Sequence, residues 1–140
     1  PIVTISNVSG RFTFADYRFG DYSKFNIGPR EFLYLIKNAK YICTDSFHGT
    51  VFSVIFQKEF FCFQRFFNKK NLFLNFRINN LFTELDIPAE RLIVPESDLE
   101  KVYKNRLDYK KIYCNLERWK RISLEYLENA LSDIDKKVQI

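Results

Sequence analysis

The chain has 140 residues, 46% hydrophobic and 28% charged, an ordinary balance for one globular domain with a buried core. No apolar run approaches the ~20 residues of a membrane span, and the start lacks the basic and apolar regions of a secretory leader. The net charge of +5 suits phosphate or carboxylate partners, but no Lys/Arg-rich block with interleaved aromatics appears, so nucleic acid is not expected as a partner.

Read in chain order, residues 2–6 form a strand, and a mixed Gly, Ser, Asp and aromatic segment to Asn26 reads as a long loop. "IGPREFLYLIKNAK" reads as a helix. Pro29 suits its first turn, where a missing N–H costs nothing. Phe32, Leu33, Leu35, Ile36 and Ala39 give it an apolar face. Glu31 stabilises its start. "YICTD" is a short strand, and "SFHGTVFSVIF" a helix apolar on all sides, which predicts an interior position. "EFFCF" is the next strand. Residues 68–76 read as a surface loop, "RINNLFTELDI" as a helix closed by Pro88, and "RLIV" as a last short strand. Asp108 caps a long helix, or a helix pair broken at Ser123, over 108–135, with Ile112, Leu116, Trp119, Tyr126, Leu127 and Leu131 along one side. Strands alternating with helices predict one α/β domain over 1–140, a Rossmann-like parallel sheet covered by helices on both faces.

Cys43, Cys62 and Cys114 are far apart and odd in number, so neither a disulfide framework nor a zinc site is expected. No metal or other cofactor is implied, and a reducing cytoplasm is the expected setting. The sequence has no methionine and opens directly on a strand, which predicts a piece of a longer chain. On that expectation an N-terminal domain is missing, part of the active site with it, and the isolated piece is inactive and self-associates. Its aromatic segment 12–25 is the candidate sticky face.

The one histidine, His48, stands where the "YICTD" strand turns into the next helix. In open α/β sheets ligands bind beyond the carboxyl ends of strands. Thr44, Asp45, Ser46, Gly49 and Thr50 fall at that end. Asp45 or Ser46 caps the helix, its free N–H groups attract an anion, and Gly49 allows a ligand or another backbone close. Ordinary capping, with a histidine satisfying a carbonyl, accounts for the same residues. Arg65, at the end of the next strand, and Arg77, before an apolar helical run, are candidate holders of carboxylate or phosphate; surface ion pairs are the plainer reading. No Gly-rich phosphate fingerprint follows a strand, which argues against a dinucleotide.

The stretch "IGPREFLYLIKNAKYICTDSFHGTVFSVIF" resembles the C-terminal half of the polysaccharide pyruvyl transferases, in Gly28, Pro29, Glu31, Phe32, Leu35, Ile36, Asn38, Ala39 and then Thr44 to Thr50. Weaker agreement runs through Arg65, "RINNL", "AERLI" and "SLEYLENAL", leaving the first 25 residues without a firm match. The resemblance implies the C-terminal half of a two-domain, GT-B-like enzyme with its site between two Rossmann-like halves. It implies transfer of the enolpyruvyl group of phosphoenolpyruvate to a sugar, or a lipid-linked oligosaccharide, as a ketal, in the cytoplasm or against the inner face of the membrane. His48 is then the expected acid, with the helix start, Arg65 and Arg77 holding anionic groups. Better-studied members carry Arg-Leu-His where this chain has Ser46, Phe47 and His48, so the family's arginine is absent at position 46. The alternatives are the nucleotide-sugar half of a glycosyltransferase and a non-catalytic sugar- or partner-binding module.

Overall fold

The computed structural model describes residues 1–5, 19–64 and 72–138, with side chains for all of these except 72–75 and 133–138. The chain forms two compact units, Pro1–Asn38 and Ala39–Ile140. Both are α/β with parallel strands.

In the first unit β1 (Val3–Ile5) pairs in parallel with β2 (Tyr22–Lys24). The second strand lies inside the segment read as loop; at three residues it is too short to show an alternating pattern. The Ile2 N–H donates to Asp21 Oδ2 at 2.7 Å, and the N–H groups of Asp21 and Tyr22 donate to the Ile2 carbonyl. Gly20 makes the turn into β2 at φ +83°, where a Cβ would also crowd Thr4 and Ile2. Helix α1 (Pro29–Asn38) starts on its proline as expected. Phe19 and Tyr22 of the aromatic segment are exposed, and residues 12–18 lie outside the described ones.

The second unit runs β3 (Tyr41–Thr44), α2 (Phe47–Ile55), β4 (Glu59–Phe63), α3 (Leu72–Leu85), a 3-10 turn (Ala89–Arg91), β5 (Leu92–Ile93), α4 (Leu99–Lys104) and α5 (Tyr109–Val138). The three strands form one parallel sheet in the order β3-β4-β5, with Tyr41 opposite Glu59 and Cys62 opposite Leu92. Right-handed crossovers between strands taken in sequence place successive helices on the same face. That face presents Phe60 and Cys62, both fully buried, to Val54 of α2, to Ile78, Leu81, Phe82 and Leu85 of α3, and to Ile112 of α5. On the opposite face Phe63 is 42% exposed. On that opposite face Tyr103 of α4 packs against Tyr41 of β3, ring centroids 5.6 Å apart, so helices flank the sheet on both sides.

Several expectations change. Helix α3 begins at Leu72, so 72–76 is helical and not loop, while 68–71 lie outside the described residues. Helix α4 was not anticipated; Asp98 caps it, accepting from the Lys101 N–H at 3.1 Å. Helix α5 runs unbroken through Ser123, whose hydroxyl donates to the Trp119 carbonyl at 2.9 Å and so completes its own bonding within the helix. Asp108 caps α5 as read. Its apolar stripe is buried only at the start: Ile112 is enclosed, whereas Ile122, Tyr126, Leu127 and Leu131 are exposed because the helix outruns the core. Helix α2 also differs. Its enclosed positions are Gly49, Thr50, Ser53 and Val54, and Ile55 is exposed.

The amino ends of the strands are pinned by a buried arginine. Arg91, 1% exposed, pairs with Glu59 at 2.7 Å and donates to the carbonyls of Phe60 and Asn105. Glu59 in turn accepts from the Leu107 N–H at 3.2 Å, tying the α4–α5 connection to β4. Removing one partner of a buried ion pair strands the other, at about 3 kcal/mol. Arg91→Ala should lower the unfolding free energy by about that amount in chemical denaturation, and a loss under ~1 kcal/mol would show that the network carries little. Beside it, the Tyr109 hydroxyl donates to the Lys58 carbonyl, and burial, with Glu59 nearby, holds its phenol well above the ordinary value. The folded state keeps this proton where the unfolded state releases it. Stability contributed by Tyr109 is therefore complete below about pH 10 and declines above it. Tyr109→Phe should flatten that alkaline decline in pH-dependent melting.

Candidate functional site

The turn at 44–50 is held by its own polar groups. Thr44 Oγ1 accepts from the Ser46 N–H at 3.1 Å. Ser46 is the N-cap of α2, its Oγ accepting from the Gly49 N–H at 3.4 Å. The Ser46 carbonyl accepts twice from Thr50, from the N–H at 2.9 Å and from the hydroxyl at 3.0 Å. Ser53 closes the next turn by donating to the Gly49 carbonyl at 2.7 Å. Of the two capping candidates, Ser46 takes the role and Asp45 stays exposed.

Gly49 is required for a reason internal to the fold. A Cβ there would overlap the Thr44 hydroxyl and approach its Cβ to 3.2 Å. The close neighbour is thus a side chain of the preceding strand. Thr50 is fully buried, and its hydroxyl also lies 3.5 Å from Cys62 Sγ. Burial pushes the Cys62 thiol up more than the Thr50 contact lowers it, so it stays a protonated packing group. Thr44, Ser46, Gly49 and Thr50 therefore build the turn, and Asp45 and His48 project from it.

His48 is exposed, in the first turn of α2. The N–H groups of Phe47 and His48 have no acceptor within the helix, and neither makes a hydrogen bond among the described residues. With the helix dipole they form a seat for an anion. The Phe47 ring meets the imidazole edge-on, centroids 5.8 Å apart at 76°. Over the same ring lies the Arg77 guanidinium, its Cζ 4.0 Å from the centroid. Arg77 reaches this place from α3, where it is exposed. The structure thus brings His48, Arg77 and the helix start together through Phe47, which composition and periodicity marked only as apolar. Arg65 lies outside the described residues.

Among the described residues no three His, Cys, Asp or Glu side chains converge as metal ligands, and no helix is long and apolar enough to cross a membrane. A shallow depression lined by Asp98, Glu100, Lys101, Lys104 and Asn105 sits by α4, at the amino ends of the strands and away from the turn.

The family model of the polysaccharide pyruvyl transferases matches residues 7–65. Over that span the chain is similar to the polysaccharide pyruvyl transferases. No curated protein and no solved structure gives a significant match. The family match takes in the whole 44–50 turn and Arg65. It reaches back into the first 25 residues, ahead of the motifs that carry the resemblance, and it stops before Arg77. A pyruvyl transferase-like domain, with a pyruvyl donor and a sugar acceptor in general terms, is what the family indicates.

Gly49→Ala should destabilise the protein by about 1–3 kcal/mol, the usual cost of forcing atoms into a filled space. Thr44→Ala in the same chain should recover part of that loss by removing the obstructing side chain. Equal stability of Gly49→Ala and the parent in denaturation would contradict the close approach.

Proposed function

We propose that the 44–50 turn binds phosphoenolpyruvate and that the protein transfers its enolpyruvyl group to two hydroxyls of a saccharide, forming a cyclic ketal and releasing phosphate. A proton is delivered to the methylene carbon, which becomes the methyl group. The adjacent carbon gains oxocarbenium character and is attacked by one sugar hydroxyl. Attack by the second hydroxyl displaces phosphate, and of the two hydroxyl protons lost, one balances the methyl proton and one leaves with phosphate. His48 is the proton donor in this reading, since a positioned imidazole is a common proton carrier in catalysis. The N–H groups of Phe47 and His48 and the cation nearby, Arg77, balance the substrate's negative charge, with Arg65 as the second candidate holder.

The observation that carries the reading is the exposed imidazole of His48 at the open start of α2, within the segment that the pyruvyl transferase family model matches. Gly49 and Thr50 enter as the framework that aims it, and Thr44, Asp45 and Ser46 border the substrate. The domain is then one wall of a GT-B-like cleft. The second wall comes from an N-terminal domain, and the acceptor is a precursor of a cell-surface polysaccharide made in the cytoplasm.

His48→Ala and His48→Gln in the intact protein should each lower ketal formation by roughly 10²–10⁴-fold, the usual contribution of a positioned acid, while leaving the melting temperature near that of the parent. Near-full turnover in both variants would remove His48 from the chemistry. Thermal stabilisation by nucleotide diphosphates instead of phosphoenolpyruvate would favour a glycosyltransferase, and stabilisation by an oligosaccharide alone a binding module.

A further inference from the structure

We infer that Phe47 and Arg77 form an anion clamp, in which the face of the phenyl ring positions the Arg77 guanidinium to take the carboxylate or phosphate of the substrate at the 44–50 turn. The inference rests on the turn being the donor site and adds how an anion is fixed there. Arg77 makes no hydrogen bond and no ion pair among the described residues, and its contact there is the stack at 4.0 Å on Phe47. A guanidinium held over a ring face keeps its N–H donors, which can make a bidentate contact with an anion. Other arginines of this unit are engaged differently: Arg91 is bound to Glu59 and backbone carbonyls, and Arg106 donates to the Tyr41 hydroxyl at 3.1 Å.

Phe47 is suited to hold such a group still. It is half-buried and packs against the core cluster, so its ring is fixed by the fold. It is the first residue of α2, so a cation over its face lies beside the helix start, where the free N–H groups face the same anion. Its ring also makes a T-shaped contact with His48, which ties the clamp to the proposed acid. Phe47 is thus a positioning residue and Arg77 a binding residue. An aliphatic side chain at 47 would fill the space and offer no π face.

The test is calorimetric titration of the intact protein with phosphoenolpyruvate and with inorganic phosphate. Arg77→Ala should weaken phosphoenolpyruvate binding by roughly 10- to 100-fold, the effect of losing charged hydrogen bonds. Phe47→Leu, which keeps apolar volume, should weaken it by about 2- to 30-fold, and Phe47→Tyr, which keeps the ring, by less than about 2-fold. The double variant Phe47→Leu/Arg77→Ala should bind no more weakly than Arg77→Ala, because Phe47 acts through Arg77. In turnover assays Phe47→Leu should raise KM for the donor and leave kcat near the parent value. Should Phe47→Leu fail to fold, Arg77→Lys, which keeps the charge and loses the planar stack, carries the same expectation. Parent-like binding by Phe47→Leu or Arg77→Ala, additive losses in the double variant, or no anion binding by the parent would overturn the clamp. Arg77-dependent phosphoenolpyruvate binding without ketal formation would instead sink the proposed reaction and leave the clamp standing.

Discussion

Helix α2 has to start against the end of β3 with no Cβ between them. Gly49 lies on the Thr44 side chain, and every other feature of the turn follows from that proximity. With the helix so close, Thr44 can accept from Ser46, Ser46 can cap α2 and receive Thr50, and Thr50 can sit over Cys62 of β4. The polar groups of this stretch are spent on one another. Buried polar groups left unpaired cost more than the pairs themselves contribute, so a single replacement in the set disturbs the rest. What remains outside the set is His48 and the face of Phe47. A rigid framework carrying one projecting imidazole is the arrangement that proton transfer requires.

The two ends of the second unit divide the labour. At the amino ends of the strands Arg91, Glu59 and Tyr109 lock the sheet to the α4–α5 connection and to the end of α2 through buried charge and backbone bonds. At the carboxyl end of β3 Asp45 and His48 are exposed, and the N–H groups of Phe47 and His48 make no hydrogen bond among the described residues. Ligands of open α/β sheets occupy this second end. The division explains why Arg91 and Arg77, identical in chemistry, read so differently. One is enclosed, its charge matched by Glu59 and its Nε without a hydrogen-bond partner among the described residues; the other is exposed and lies over a ring.

Much of this was legible in the sequence where local chemistry decides structure. Pro29 opens α1, Asp108 opens α5, and β4 spans the five residues of the "EFFCF" run. Other features depend on partners distant in the chain. β2 exists because Ile2 and Asp21 meet, which no pattern of three residues can announce. Helix α2 looked apolar on every side, yet its enclosed positions include Gly49, Thr50 and Ser53, because close packing selects small residues over large ones. In α5 a continuous apolar stripe said nothing of where the core ends, and Ile122, Tyr126, Leu127 and Leu131 remain exposed. Within the site, His48 and the N-cap were readable from their position at a strand-to-helix turn. The stack of Arg77 on Phe47 joins residues from two helices, and only the fold brings them together.

Because His48 is the only histidine in the chain, its imidazole C–H signals in a carbon–proton correlation spectrum need no assignment. Titration of the intact protein with phosphoenolpyruvate, followed in that spectrum and in the amide signals of Phe47 and His48, addresses the turn directly. Saturable movement of the imidazole and of both amides at one common affinity is the predicted result. A ligand that saturates the protein while these three signals stay fixed would place its site elsewhere and contradict the account.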